Sequence, residues 1–596
     1  MLALEQSLRM RALWTKLCCF GLALLSAPLR AQSFDPSWLA SLRPDRSLPL
    51  TPSQIESVPR YELDLRLADN LGSYALDEQL TFINTGHAPL SDLVLRLFGN
   101  EAGGGAITLV SARCLEQKCH VTQPSASAIR LQPSAALAPG AVLRVHVILN
   151  GKLGAIASDQ TDMLQQGIAG LSMLLTKTPP RDYGLLSQGD GIASLAHFYA
   201  VVAQREGNAW VTREQSSLGD VGADGVSFVR ATIHAPRDVT IASSGVATED
   251  ASDLGEHRAL VIASLVRDFA LVASRALTVR SRVVDDVVVR SYFLPADAIS
   301  GERVLDTAAR ALATYQQRFG PYPFRELNVA EAALIGGAGG SEFSGFVEVA
   351  SMLYRPMPID PSLSGLLGLP QGSPLEFTTA HEVAHQYWYG LVGSDARQHP
   401  FADESLAQWS AQLFFEDNFG VERAEREGDA QIKLNYQMMR QLGDADGAVD
   451  RPVDSFASPI AYAGLVYGKG AYLYSALRKQ LGDDAFFTGL RAYVERYRFA
   501  IAPEHALIDR LASDSGHAAA VRAIAHRWLF ETHGDRDLAI ANADASLGQL
   551  DPSLLGLLGS AAADGGKAAP LDPKALERLT DQLKNGPLQG LLGELL

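Results

Sequence analysis

The sequence predicts a multidomain chain, with an all-β, sandwich-like N-terminal domain followed by a mostly helical α+β domain. Three observations carry this. The 596 residues exceed what a single hydrophobic core serves. From about residue 58 to 295, apolar and polar residues alternate in short runs bounded by turn residues, the period of half-buried strands. After Pro295 the apolar residues recur at helical spacing. Hydrophobic content of 47% and charged content of 20% are those of a globular protein. The formal net charge of −16 argues against nucleic acid as a partner, because phosphate binding needs a basic surface.

Residues 1–31 have the build of a signal peptide. Arg9, Arg11 and Lys16 precede the apolar run "LCCFGLALLSAPL" (17–29), and "RAQS" follows, with Ala31 as the cleavage position. Met10 is an alternative start. The run is too short to span a bilayer, and no later one is long enough. Export to the periplasm or the extracellular space is therefore expected. An uncleaved N-terminal anchor is the alternative, and the one way in which a membrane becomes a partner. Residues 32–57, rich in Pro, Ser and Asp, read as a lead-in.

Across 58–295, "RYELDLRL", "YALDEQLTFINTG", "LSDLVLRLFGN", "VLRVHVILNG", "SFVRATIHAP", "DVTIASSGV", "LTVRSRVV" and "DVVVRSYFLP" read as successive strands. With Cys18 and Cys19 inside the signal, Cys114 and Cys119 remain. Their short spacing in an exported chain favours one disulfide. A metal reading of this pair needs further ligands, which the neighbourhood lacks.

The second domain is expected over 296–540. "SGERVLDTAARALATYQQRFG" (300–320) has helical spacing, "PYPF" breaks it, and "ELNVAEAAL" (326–334) reads as a strand. Helices follow, including "EFTTAHEVAHQYWYGLV", "ADESLAQWSAQLFFEDNFG" and "GKGAYLYSALRKQLG". Residues 541–596 read as a low-complexity tail with a terminal amphipathic helix, "PKALERLTDQLKNG".

The chemistry concentrates in "TTAHEVAHQYWYG" (378–390). Residues four apart share a helix face, so His381 and His385 can point two imidazoles at one ion. Glu382 lies beside the first histidine, within reach of a water on that ion. The largely apolar flanks argue that this helix is buried, where polar side chains need partners. A third ligand is required. Glu404 opens the next helix, with 18 residues between it and His385, and the intervening loop lets the second helix fold back on the first. A carboxylate in a first helical turn also suits the helix dipole without any metal. Two His and one carboxylate suit Zn2+, one per chain. Asp403 is expected to cap the second helix. His399 reads as a solvated loop residue, His526 and His533 as structural, and Lys469 as a helix-start charge.

HExxH followed by 18 residues and Glu is similar to the signature of the aminopeptidase N-like family of gluzincin zinc peptidases, which includes leukotriene hydrolase. "VRDFALVAS" (266–274), "RFGPYPF" (318–324), "GGSEFSG" (339–345) and "YGKG" (467–470) resemble further segments of that family, in its order, over about 60–530. The resemblance implies a thermolysin-like zincin fold for the second domain. It implies a zinc aminopeptidase that hydrolyses N-terminal residues from peptides with a free N-terminus. In that scheme Glu382 is the general base, Tyr467 donates to the oxyanion and Glu342 binds the substrate ammonium. Gly339 and Gly340 allow a peptide backbone to approach. Tyr462 and Tyr472 lie in the same tyrosine-rich stretch, and only the Y-x-K-G context favours Tyr467. The chain departs from the family in having Ser341 and Phe343 where Met and Asn are usual. The F-P-C-x-D-E-P segment is not visible, so a second amine-binding acid is not carried over. The long helical C-terminal domain of larger members is not seen. Two alternatives stay open: a zinc endopeptidase or other hydrolase without free-amine selectivity, and a non-catalytic peptide-binding module on the same fold.

Overall fold

A computed structural model describes residues 34–539 apart from 45–49, 103, 164, 167–168, 170–178, 181, 215–216, 221–224, 254 and 356–371. The expected signal segment and the terminal amphipathic helix lie outside the described residues. No helix among the described residues is long and apolar enough to cross a membrane.

Strands fill the first half, as the alternation predicts. Arg60–Leu67 buries Tyr61, Leu63 and Leu65 and turns the residues between them outward. It lies inside a seven-stranded sheet. There it pairs antiparallel with Ser73–Ile83 and parallel with Ser227–Pro236. Tyr61 and Tyr74 project from this sheet, and their hydroxyls bond Val202 N (3.0 Å) and Phe198 O (2.6 Å) of the segment packed across it. Cys114 and Cys119 form a disulfide joining the ends of Ala106–Cys114 and Cys119–Ser125.

The lead-in is more ordered than its composition suggests. Ser264 Oγ donates to Trp38 O (2.7 Å), Arg43 N donates to Pro323 O (2.9 Å) and Arg325 N to Ser41 O (2.9 Å). This stretch therefore stitches a strand of the seven-stranded sheet to the segment before Glu326. Backbone hydrogen bonding of this kind depends on what lies nearby in space, so composition does not reveal it.

Thr278–Val284 and Val287–Phe293 alternate like the strands before them. They nevertheless belong to a different sheet, whose order is Thr278–Val284, Val287–Phe293, Glu326–Ala332, Phe346–Ala350, Gly340–Phe343. The sheet of the helical part thus takes two strands from before Pro295. Periodicity identifies a strand but not its neighbour. Ile192, Ala242, Ala270 and Val272 of the strand-rich part share one core with Ala330, Ala332, Phe343, Phe346 and Ala350.

The helical part is organised by Ala298–Phe319, whose Tyr315 hydroxyl lies 2.9 Å from Ala380 O and 3.0 Å from Ser410 O. One buried hydroxyl therefore touches two other helices, Pro374–Ala384 and Glu404–Phe419. The first is shorter than the sequence suggests. It stops at His385, where Gly390 N and Leu391 N close wide turns onto His385 O (2.8 Å) and Gln386 O (3.1 Å). A second surprise precedes Ala471–Leu481, where Ala463–Lys469 is a π-helical stretch. Such widened turns concentrate at functional sites.

Candidate metal centre and substrate cavity

His381 and His385 lie in the last turn and at the C-cap of Pro374–Ala384, and Glu404 is the first residue of the facing helix. Their ligand atoms converge. His381 Nε2 and His385 Nε2 are 3.0 Å apart, and Glu404 Oε2 lies 3.2 and 3.4 Å from them. A tetrahedral ion with bonds of about 2.0–2.1 Å requires edges of about 3.3 Å between its ligands. The triangle present therefore fits three corners of a zinc site. Glu342, Glu382 and His385 form a second group whose ligand atoms all lie within 4.8 Å of one another.

Asp403 does not cap its helix. Its side chain makes no capping bond and instead accepts from His385 Nδ1 at 2.8 Å. That bond puts the proton on Nδ1 and frees Nε2 to face the ion, the usual support for a metal-binding imidazole. The capping expectation rested on position in the sequence. Here the buried imidazole is the stronger claimant for the carboxylate. Lys469, expected as a helix-start charge, does precede Ala471–Leu481 but is enclosed. Its ammonium is buried and donates to Asp446 Oδ1 (2.9 Å), Gly447 O (3.0 Å) and Glu531 O (2.6 Å). It holds the π-helical stretch that carries Tyr467. Nor is His399 merely solvated: Nδ1 bonds Asp450 (2.7 Å) and Nε2 meets Glu504 (2.9 Å). His526 is exposed and pairs with Glu531, as does His533.

The centre opens into a cavity of about 580 Å³ lined by Glu342, Glu382, Gly339, Gly340, Tyr462 and Tyr467, among others. Gly340 packs so closely on Glu382 that an added Cβ would lie 2.3 Å from Glu382 Oε1. Here glycine is needed for contact with the histidine helix. Phe343, where the family has Asn, is buried in the core shared by the two parts, with its ring 6.1 Å from His197 and 6.0 Å from Phe346. The substitution exchanges a polar group for an anchor of the Glu342 loop.

Tyr467 Oη donates to Glu404 Oε1, and its ring stacks on His381 at 6.0 Å. Tyr462 lines the same cavity, and its buried hydroxyl has no hydrogen-bond partner among the described residues. Tyr472 instead stacks on Trp528. Asp220, from the strand-rich part, also lines the cavity, and its Oδ2 is buried without a hydrogen-bond partner among the described residues. Sequence reading missed Asp220, which carries no motif and sits in a stretch with no strong pattern. Tyr462 was visible but not distinguishable from its neighbours.

The electrostatics call for a cation. Burial pushes the Glu382 carboxyl up to about 8; His385 opposes this, while Glu404 and Asp220 reinforce it. Glu342 is raised well above its ordinary value by burial and then by Asp220. Asp220 is raised by burial, then by Glu404 and Asp403. Burial alone would raise Glu404 too, but hydrogen bonds from both imidazoles hold it well below the usual carboxylate range. Clustered buried carboxylates of this kind are stabilised by a divalent ion and by a cationic ligand.

This arrangement resembles a gluzincin metal centre, on a strand-rich region followed by a helical catalytic domain. Comparison with known proteins agrees. Residues 305–528 match the Peptidase family M1 domain. Aminopeptidase 2, mitochondrial, from Saccharomyces cerevisiae is 27% identical over 249 residues, 41% of this chain and 25% of the relative. Aminopeptidase N from Lactococcus lactis is 30% identical over 153 residues, 25% of this chain and 18% of the relative. The chain thus spans about a quarter or less of the length of these curated relatives. Among solved structures, an M1 zinc metallopeptidase from Deinococcus radiodurans covers 80% of this chain and 94% of its own, with a TM-score of 0.55 at 17% identity. Legionella pneumophila aminopeptidase A, in complex with aspartic acid, covers 80% of this chain and 49% of its own, with a TM-score of 0.54 at 15% identity. These two likenesses speak to the fold. These matches support an aminopeptidase N-like gluzincin family for the helical part of this chain, with residues 305–528 similar to the peptidase family M1 domain.

Proposed function

We propose that the protein is an exported zinc aminopeptidase that removes N-terminal residues from peptides with a free N-terminus. The observation that carries this reading is the placement of Glu342 beside Glu382 and His385 in one cavity. A carboxylate so close to the reacting centre holds an ammonium about one residue from the scissile bond. His381, His385 and Glu404 hold one zinc ion per chain. When bound, zinc polarises a carbonyl and acidifies water. Glu382, whose Oε2 is buried and unbonded, accepts a proton from the attacking water and returns it to the leaving amine. Tyr467 turns its hydroxyl from Glu404 toward the oxyanion as charge develops there. Asp220 faces the same space as Glu342 and adds to the negative potential that draws in the ammonium. Gly339 and Gly340 form the wall along which the peptide backbone lies.

The test is hydrolysis of a panel of free and N-acetylated aminoacyl amides by the mature chain, with and without chelator. Free amines should be cleaved and acetylated ones spared, with activity lost on metal removal. Equal cleavage of both sets refutes the exopeptidase reading and leaves an endopeptidase or another hydrolase. A zinc-loaded protein that cleaves nothing but binds peptides points instead to a binding module.

A further inference from the structure

Gln386 follows His385 directly, and its side chain is fully buried. It does not face the cavity. Its carboxamide reaches the loop that carries Glu342, where Nε2 donates to Phe343 O (2.9 Å) and Oε1 accepts from Gly345 N (2.7 Å). Tyr322 Oη donates to the same Oε1 at 3.2 Å. The two backbone bonds bracket Ser344, and the first falls on the residue next to Glu342. Gly345 has φ +77°, a left-handed conformation suited to glycine, which lets the loop reverse there. Only a carboxamide offers a donor and an acceptor at this reach. An ionised carboxylate lacks the donor, and an aliphatic side chain lacks both.

We propose that Gln386 is a positioning residue that sets the distance between the metal centre and Glu342. It thereby determines the enzyme's selectivity for ligands with a free α-amine. The turn that ends the histidine helix supplies an imidazole of the metal centre at 385 and the clamp on the Glu342 loop at 386, so the two points of substrate attachment share one support. Loss of the clamp frees the loop and leaves the metal centre in place. The inference rests on the reading of Glu342 as the ammonium site.

The test uses the zinc-loaded full chain and two inhibitors, an amino-acid hydroxamate and its counterpart lacking the α-amine. Their ratio of inhibition constants measures the amine contact alone. Gln386→Leu should weaken the aminated inhibitor about tenfold or more and leave the other unchanged, at constant zinc content. Gln386→Met, of similar length but with no amide donor or acceptor, should act in the same direction, and Tyr322→Phe should do so more weakly. Should Gln386→Leu fail to fold, these two variants carry the test. Equal weakening of both inhibitors, or no change in either, overturns the proposal. Glu342→Gln is measured alongside. If it leaves the ratio intact, the ammonium reading of Glu342 has failed. If it collapses the ratio while the Gln386 variants do not, only the positioning role has failed.

Discussion

Two carboxyls in different regions of the molecule are almost alike when taken singly. Glu78 lies in the seven-stranded sheet and Glu382 on the histidine helix. Both are buried, and burial pushes each up to about 8. Their surroundings differ. Glu78 Oε2 accepts from Ala200 N at 2.9 Å, in a packed layer between tyrosines of the sheet and the segment above it. Glu382 lies against a cavity with His385, Glu404 and Asp220 near it. A raised carboxyl by itself thus marks only burial. Convergence of several charged groups on shared space marks chemistry.

That contrast can be tested by substitution, from the largest effect to the smallest. Glu382→Ala should lower kcat by about 10²- to 10⁴-fold without loss of zinc, measured by steady-state kinetics beside metal analysis. Wild-type turnover in that variant would reduce Glu382 to the status of Glu78. Tyr467→Phe should lower kcat by about 10²- to 10³-fold with little change in KM, because its hydroxyl acts on charge that develops only in the transition state. Tyr462→Phe, compared in the same assay, shows whether the unbonded hydroxyl beside it shares that work. Glu342→Gln should act mainly on KM, weakening kcat/KM for free-amine substrates by about 10- to 100-fold, the cost of a charged hydrogen bond.

The smallest effect is expected at Glu78, and it concerns stability alone. Its folded carboxyl is raised above its ordinary value, so the folded state binds the proton more tightly than the unfolded one. Stability from this group is present at acid pH and declines as pH rises from the ordinary carboxylate range toward about 8. Glu78→Gln keeps the acceptor for Ala200 N and removes the decline. Its Tm should match wild type near pH 4 and exceed it by about 2–4 °C at pH 8, with activity unchanged. A drop in activity would mean that the sheet and the cavity are coupled more tightly than their contacts imply.

Much of the centre was legible along the chain because its geometry is local. Four residues make a helical turn, so HEVAH itself specifies that two imidazoles share a face. The alternation in Arg60–Leu67 specified which side chains are buried for the same reason. The third ligand was legible from its place at the start of the next helix across a short loop, and the recurring spacing of a known family reinforced it. Other features depended on folding partners remote in sequence. Thr278–Val284 and Val287–Phe293 announced themselves as strands but not the sheet they join. Asp403 looked like a cap until a buried imidazole claimed it, and Lys469 looked like a helix-start charge until Asp446, Gly447 and Glu531 enclosed it.

The sequence by itself determined the two-part organisation, the helix bearing His381, Glu382 and His385, and the pairing of Cys114 with Cys119, because each follows from periodicity or short spacing. Tertiary structure alone decided that Asp220 reaches the cavity from the strand-rich part, that Phe343 anchors the Glu342 loop in a shared core, and that Gln386 ties that loop to the metal centre. Those contacts join segments far apart along the chain. The buried hydrogen bonds and packed surfaces that select them exist only once the chain has folded.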